Sequence, residues 1–260
     1  MKTHSFKTLG FLLVAMLLLN VPAKAQQMTA KELVNKSYHL FLGKSSFSVM
    51  QMSIVRPTWQ RNITMQNWSL GDTYYLSLVT APARDKGQVF LKYGKDMWNY
   101  IPAINRRIKI PPSMMMQSWM GSDFTNNDLM KQNSIITDYT HRITGEEHFG
   151  GFNCWKIELK PLPEAAVVWG KIVIWIARKN FNTLKMEFYD DHDKLIKTEI
   201  ASRLKWMGGR MLPSHLEMIS NTKPGNKTII DIQHQEFNLK QINKGFFSIQ
   251  NMQHLRPRKF

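Results

Sequence analysis

The chain has 260 residues, 43% of them apolar, with 35 Lys and Arg against 19 Asp and Glu, for a net charge of +16. One cysteine excludes an intramolecular disulfide framework, so a hydrophobic core must hold the fold. A length in this range suits one large β domain.

The N-terminus predicts export. Lys2 and Lys7 form a basic start, residues 9–21 form an apolar run, and Ala23-Lys24-Ala25 offers small residues at a cleavage site. The run is short of the roughly 20 residues a membrane-spanning helix needs. The expected organisation is therefore a cleaved signal peptide at 1–25 and one domain over 26–260, with the mature protein in the periplasm. Cleavage removes Lys2, Lys7 and Lys24 and no acid, which takes the net charge from +16 to +13. Outside the cytoplasm this excess points to anionic membrane surfaces, lipid head groups or an acidic protein, and not to nucleic acid. The same excess also serves solubility.

A helix is predicted next. Thr29 and Glu32 have capping-box spacing, and Leu33, Val34, Ser37, Tyr38 and Phe41 then share one helical face up to Gly43. Beyond it, period-two patterns dominate. Leu184, Met186 and Phe188 alternate with Lys185 and Glu187, and Thr228, Ile230 and Ile232 alternate with Lys227, Ile229 and Asp231. Turn signals separate such runs at Gly71-Asp72, Gly94-Lys95-Asp96, Gly150-Gly151, residues 190–193, Gly208-Gly209 and Pro224-Gly225-Asn226. The pattern predicts an antiparallel meander that curls around its core or is covered by helices. The first helix and the Pro-rich stretch 111–130, where Thr125 and Asp128 repeat the capping spacing, are the expected covers.

No catalytic motif stands out. The chain lacks a G-x-S-x-G elbow, H-E-x-x-H, a P-loop and G-x-G-x-x-G, and its histidines are dispersed. Asp190, Asp191, His192 and Asp193 read as a solvated turn, and Asp123, Asn126, Asn127 and Asp128 miss the calcium-loop spacing. Neither metal nor cofactor is expected, and no enzyme activity. Cys154 reads as a buried small hydrophobe.

Residues 90–130 are the most unusual stretch, with aromatics, methionines, prolines and a basic cluster together. Trp98 and Tyr100 are expected on one face of a strand, with Arg106, Ile108 and Ile110 on one face of the next. Met114, Met115 and Met116 beside Trp119, Met120 and Phe124 predict a methionine-lined flap over an apolar cavity. Arg56 and Arg61, near Trp59 in the first strand region, read as exposed strand charges or as donors to head groups or to carbonyls in such a lid.

These residues resemble a known family. Phe90-Leu91-Lys92-Tyr93-Gly94, Met97-Trp98-Asn99-Tyr100-Ile101-Pro102, Arg106-x-Ile108-Lys109-Ile110, and the run from Ser118 through Trp119, Met120, Gly121 and Ser122 to Asp123 and Phe124 are similar to the outer-membrane lipoprotein-sorting proteins, the LolA-like group. Pro82-Ala83-Arg84, Gly151-x-x-Cys154 and Pro161 fit the same pattern, whereas Asn127 stands where an acid is expected. The resemblance runs from about residue 50 to 260. It implies a mainly β fold, an incomplete, strongly curved antiparallel β-barrel whose open side is covered by α-helices. It also implies a carrier of lipoprotein acyl chains or other lipid, loaded by an inner-membrane donor complex and emptied at an outer-membrane acceptor. Trp98, Tyr100, Met114, Met115, Met116, Trp119 and Phe124 are the expected lipid contacts, with Arg61 and Arg106 at a head group or lid. A second branch of the wider fold implies an adaptor or envelope sensor working with an RND-type lipid exporter.

Overall fold

The computed structural model describes residues 28–259, so the expected signal segment at 1–25 lies outside the described residues. Helix α1 (Ala30–Leu42) begins where the capping box places it. Glu32 N donates to Thr29 Oγ1 at 3.2 Å and Thr29 N donates to Glu32 Oε2 at 2.7 Å. Such a cap is worth about 1 kcal/mol. Ala30, Leu33, Val34 and Ser37 are its buried positions, and Gly43 ends it with φ +63°. A side chain on Gly43 would be strained there and would also meet Phe237 Cδ1 at 2.9 Å.

Six strands follow: β1 (Ser45–Arg56), β2 (Trp59–Leu70), β3 (Tyr74–Ala81), β4 (Val89–Tyr93), β5 (Asp96–Ile101) and β6 (Arg106–Lys109). A connection over 110–138 carries α2 (Asn126–Met130) and α3 (Ser134–Thr137). Seven more strands complete the sheet: β7 (Tyr139–Phe149), β8 (Phe152–Pro161), β9 (Lys171–Ala177), β10 (Thr183–Tyr189), β11 (Leu195–Met207), β12 (Arg210–Ser220) and β13 (Lys227–Phe237). All pair antiparallel in one 13-stranded sheet, in the order β6-β5-β4-β3-β2-β1-β13-β12-β11-β10-β9-β8-β7. The predicted turn signals fall between strands. At Gly150-Gly151 and Gly208-Gly209 both residues have positive φ, which glycine adopts without steric cost.

The pairing of β1 with β13 joins two meanders back to back. Its consequence is that the free edges, β6 and β7, are the strands on either side of the 110–138 connection. The sheet is thus open, and this connection links its two edges. Edge β6 is blunted by charge, with Arg106, Arg107, Ile108 and Lys109 all exposed.

Both faces of the central strands are covered, for two different reasons. On one face, Met52, Ile54, Ile63, Met65, Val79, Phe90 and Met97 form a core with Trp119 of the connection. Their neighbours in alternation, Phe47, Val49, Trp68, Leu76, Leu78, Val89 and Leu91, pack on the opposite face. There they meet Ile242, Phe247, Met252 and Leu255 of the C-terminal segment, which includes α4 (Asn251–His254). Gln66 fastens that segment by donating to Arg258 O at 2.8 Å and accepting from Arg258 N at 2.7 Å. A third core joins α1 to β7–β10 through Leu33, Val34, Ile157, Ile172, Ile174 and Phe188. Cys154 is fully buried in a fourth, beside Trp175 and Leu184. A register shift between Thr183 and Lys185 sends Leu184 to this fourth core while Met186 and Phe188 face the α1 side, so the predicted single face of β10 is split.

Candidate functional site

Between α1, the 110–138 connection and the sheet lies a cavity of about 410 Å³, within the range of small-molecule pockets. One wall is apolar: Ile172 and Ile174 of β9, Met186 and Phe188 of β10, Met218 of β12, and Val34 and Phe41 of α1. The other wall is polar and comes from β1, β2 and β3. Ser46 and Ser69, paired across β1 and β2, hydrogen-bond at 2.7 Å. Tyr75 OH donates to Asn67 Oδ1 at 2.6 Å, and Asn67 Nδ2 donates to Ser48 Oγ at 3.4 Å. Burial holds the Tyr75 phenol well above its ordinary pKa, so it remains a donor at any physiological pH.

A charged group sits between the walls. Lys197 Nζ donates to Asp128 Oδ2 at 2.7 Å, and both side chains are largely buried. The same ammonium lies 4.8 Å from the Trp169 ring centroid and 5.0 Å from that of Phe188. Asp128 also caps α2, accepting from Thr125 N at 2.8 Å, so this ion pair ties the connection to β11. Glu199, two residues on along the same strand face, lines the cavity with no hydrogen bond to its carboxylate among the described residues. Burial pushes its pKa up to about 7, with Lys197 opposing and Asp128 adding to the shift.

The connection is further pinned at its middle. Arg56 pairs with Asp123 at 3.0 Å and donates to Gly121 O at 2.8 Å. Thr228 Oγ1 donates to Asp123 Oδ2 at 2.6 Å, and Asp123 N donates back to Thr228 Oγ1 at 2.9 Å. Trp119 meets Phe90 edge-on, with ring centroids 5.3 Å apart. The Trp119 Nε1 and Tyr38 OH atoms are buried without a hydrogen-bond partner among the described residues, and both residues line the cavity.

Of the residues singled out from the sequence, Trp119 and Phe124 line the cavity. Trp98 and Tyr100 share a face as expected, but that face packs on the C-terminal segment, opposite the cavity, while Met97 turns toward Trp119. Met115 packs behind Trp119, Met114 is half-buried with its carbonyl accepting from Asn126 Nδ2, and Met116 is 53% exposed. Arg61 pairs with Asp85 at 2.7 Å and makes a long contact of 3.5 Å to Met120 O, while Arg106 lies exposed on the β6 edge. The acidic run at 190–193 is a turn, in which His192 N and Lys194 N each donate to Asp190 Oδ1 at 2.9 Å. Ser46, Ser48, Asn67, Tyr75, Lys197 and Glu199 were missed. The signal for the serines was present, since Ser46 and Ser48 alternate with Phe47 and Val49, but that pattern normally places the serines in solvent.

Known structures share this architecture. A DUF1329 family protein from Desulfovibrio piger superposes with a TM-score of 0.77 at 23% identity, over 86% of this chain and 98% of that one. A domain from Vibrio parahaemolyticus described as an outer membrane lipoprotein-sorting protein gives 0.75 at 22% identity, over 86% and 98%. A LolA superfamily protein from Nitrosomonas europaea gives 0.71 at 22% identity, over 86% and 99%. The fold is therefore that of the LolA-like proteins, mainly β, with an open antiparallel sheet and few helices. A family model described as uncharacterized-protein-like matches residues 71–254, and the chain belongs to that family. No curated protein matches the chain.

Proposed function

We propose that this protein is a periplasmic carrier that binds acyl chains of lipoproteins or related lipids in its cavity and moves them toward the outer membrane. The observation that carries the reading is the cavity itself: an apolar wall on β9 and β10 faces a cover formed by α1 and the 110–138 connection. Each buried CH₂ of an acyl chain contributes about 0.8 kcal/mol, so an apolar wall supplies extraction from a bilayer without chemistry. The protein is not an enzyme, and release depends on the cover. Its polar pins, Arg56–Asp123 and Lys197–Asp128, must break or shift when it opens, which sets an unfavourable cost on the open state when empty. Trp119 and Phe124 are the cover residues in contact with cargo.

Native mass spectrometry of the protein purified from a Gram-negative periplasm, followed by lipid extraction, tests this. Intact lipid released from it supports the carrier. A protein that emerges empty and ignores added lipid refutes it. One surface feature favours a second reading, an adaptor or envelope sensor docking on a membrane partner such as an RND-type lipid exporter. The β11–β12 hairpin presents Trp206, 70% exposed, opposite Met211 and beside Arg203 and Lys205.

A further inference from the structure

We infer that the cavity selects an uncharged, hydroxyl-bearing amphiphile, whose polar group is held inside by the β1–β3 wall while its hydrocarbon lies on the β9–β10 wall. This rests on the carrier reading and names its ligand class. A cavity for bare hydrocarbon gains nothing from polar walls, because each buried donor or acceptor without a partner costs free energy. Here the Ser46–Ser69 and Ser48–Asn67–Tyr75 groups form one continuous hydrogen-bonding surface. Serine hydroxyls and the Asn amide keep spare donor or acceptor capacity after these bonds. Tyr38 OH and Trp119 Nε1, in residues lining the same space, are buried without a partner among the described residues.

The charged residues of the lining disfavour an anionic head. They are Asp128, Lys131, Lys197 and Glu199. Lys197 is engaged by Asp128 and two aromatic rings, and Lys131 Nζ donates to Ala166 O. An incoming carboxylate or phosphate therefore finds Lys197 already paired and only Lys131, bound to a neutral carbonyl, as a remaining cation, and it meets the unbonded Glu199 carboxylate. A neutral hydroxyl or ester oxygen meets donors and acceptors without that repulsion.

The test measures affinities of the full chain for probes with matched hydrocarbon: 1-monopalmitoylglycerol, palmitate, hexadecylamine and hexadecane, by tryptophan fluorescence at about pH 8, where Glu199 is ionised. Monopalmitoylglycerol is expected to bind at least about tenfold tighter than palmitate or hexadecane, as two extra hydrogen bonds allow. Glu199→Gln is expected to strengthen palmitate binding several-fold and leave monopalmitoylglycerol nearly unchanged. Ser48→Ala is expected to weaken monopalmitoylglycerol about fivefold and leave hexadecane unaffected. Palmitate or hexadecane binding as tightly as monopalmitoylglycerol overturns this inference and leaves the carrier standing. Tightest binding of hexadecylamine overturns it in favour of a cationic ligand paired with Glu199. Failure of every probe to bind overturns both readings.

Discussion

The two walls of the cavity are built from the same kind of strand and do different work. Strands β9 and β10 present Ile172, Ile174, Met186 and Phe188, and β1 to β3 present Ser46, Ser48, Asn67, Ser69 and Tyr75. The difference follows from what covers the back of each wall. Behind β1–β4, Phe47, Trp68, Leu76 and Leu91 already make a full core with the C-terminal segment. With that core behind them, the stretches of β1–β3 beside the cavity are free to carry polar residues, while Met52, Ile54, Ile63 and Met65 further along the same face pack on Trp119. Strands β8–β10 make their largest core on the cavity side itself, against α1. Affinity for hydrocarbon and discrimination of the polar group are thus separated onto different strands, and each is open to its own perturbation.

The largest effect is expected on the apolar wall. Ile174 is 1% exposed, and Ile174→Asp places a charge there with no partner, which costs about 4 kcal/mol. A urea titration should show a collapsed midpoint or no folded baseline. An unchanged midpoint would mean that the wall is wetter than its packing implies.

The middle effect is on pH. Glu199 is held near pKa 7 in the fold against 4.5 when unfolded, so between these values the folded state binds more protons. Its contribution to stability is complete below about pH 4.5 and is lost as pH rises through about 7, a change of about 2 kcal/mol after allowance for its partial exposure. Stability curves of the protein and of Glu199→Gln should diverge across that window, with the variant flatter. Parallel curves would remove Glu199 from the ionisable groups of the cavity.

The smallest effect is on the polar wall. Ser46→Ala leaves Ser69 without its 2.7 Å partner and should cost about 1 kcal/mol, whereas Ser46→Ala with Ser69→Ala should cost less than the sum, because no unpaired hydroxyl remains. Strict additivity in a double-mutant cycle would show that water, and not the opposite serine, satisfies each hydroxyl.

Much of the fold was legible because it is local. The Thr29–Glu32 box starts α1, the face from Leu33 to Phe41 reaches the core and cavity, and Gly150-Gly151 and Gly208-Gly209 turn the chain between strands. The second box, Thr125–Asp128, likewise caps α2 as its spacing predicts. These features depend on residues a few positions apart, so composition and spacing suffice to fix them.

The site was legible only in part. Trp119 and Phe124 reach the cavity, whereas Trp98 and Tyr100 face the other way. Alternation says that Trp98 and Tyr100 share a face and that Met97 does not, but with both faces covered it does not say which one meets the ligand. The pairing of β1 with β13 and the docking of the C-terminal segment make that choice, through partners nearly the whole chain apart, as when Gln66 bonds Arg258. The meeting of Asp128 with Lys197 beside Glu199 is of the same kind: it joins a helix of the connection to a strand far along the chain, and only the closed tertiary arrangement brings their charges within reach.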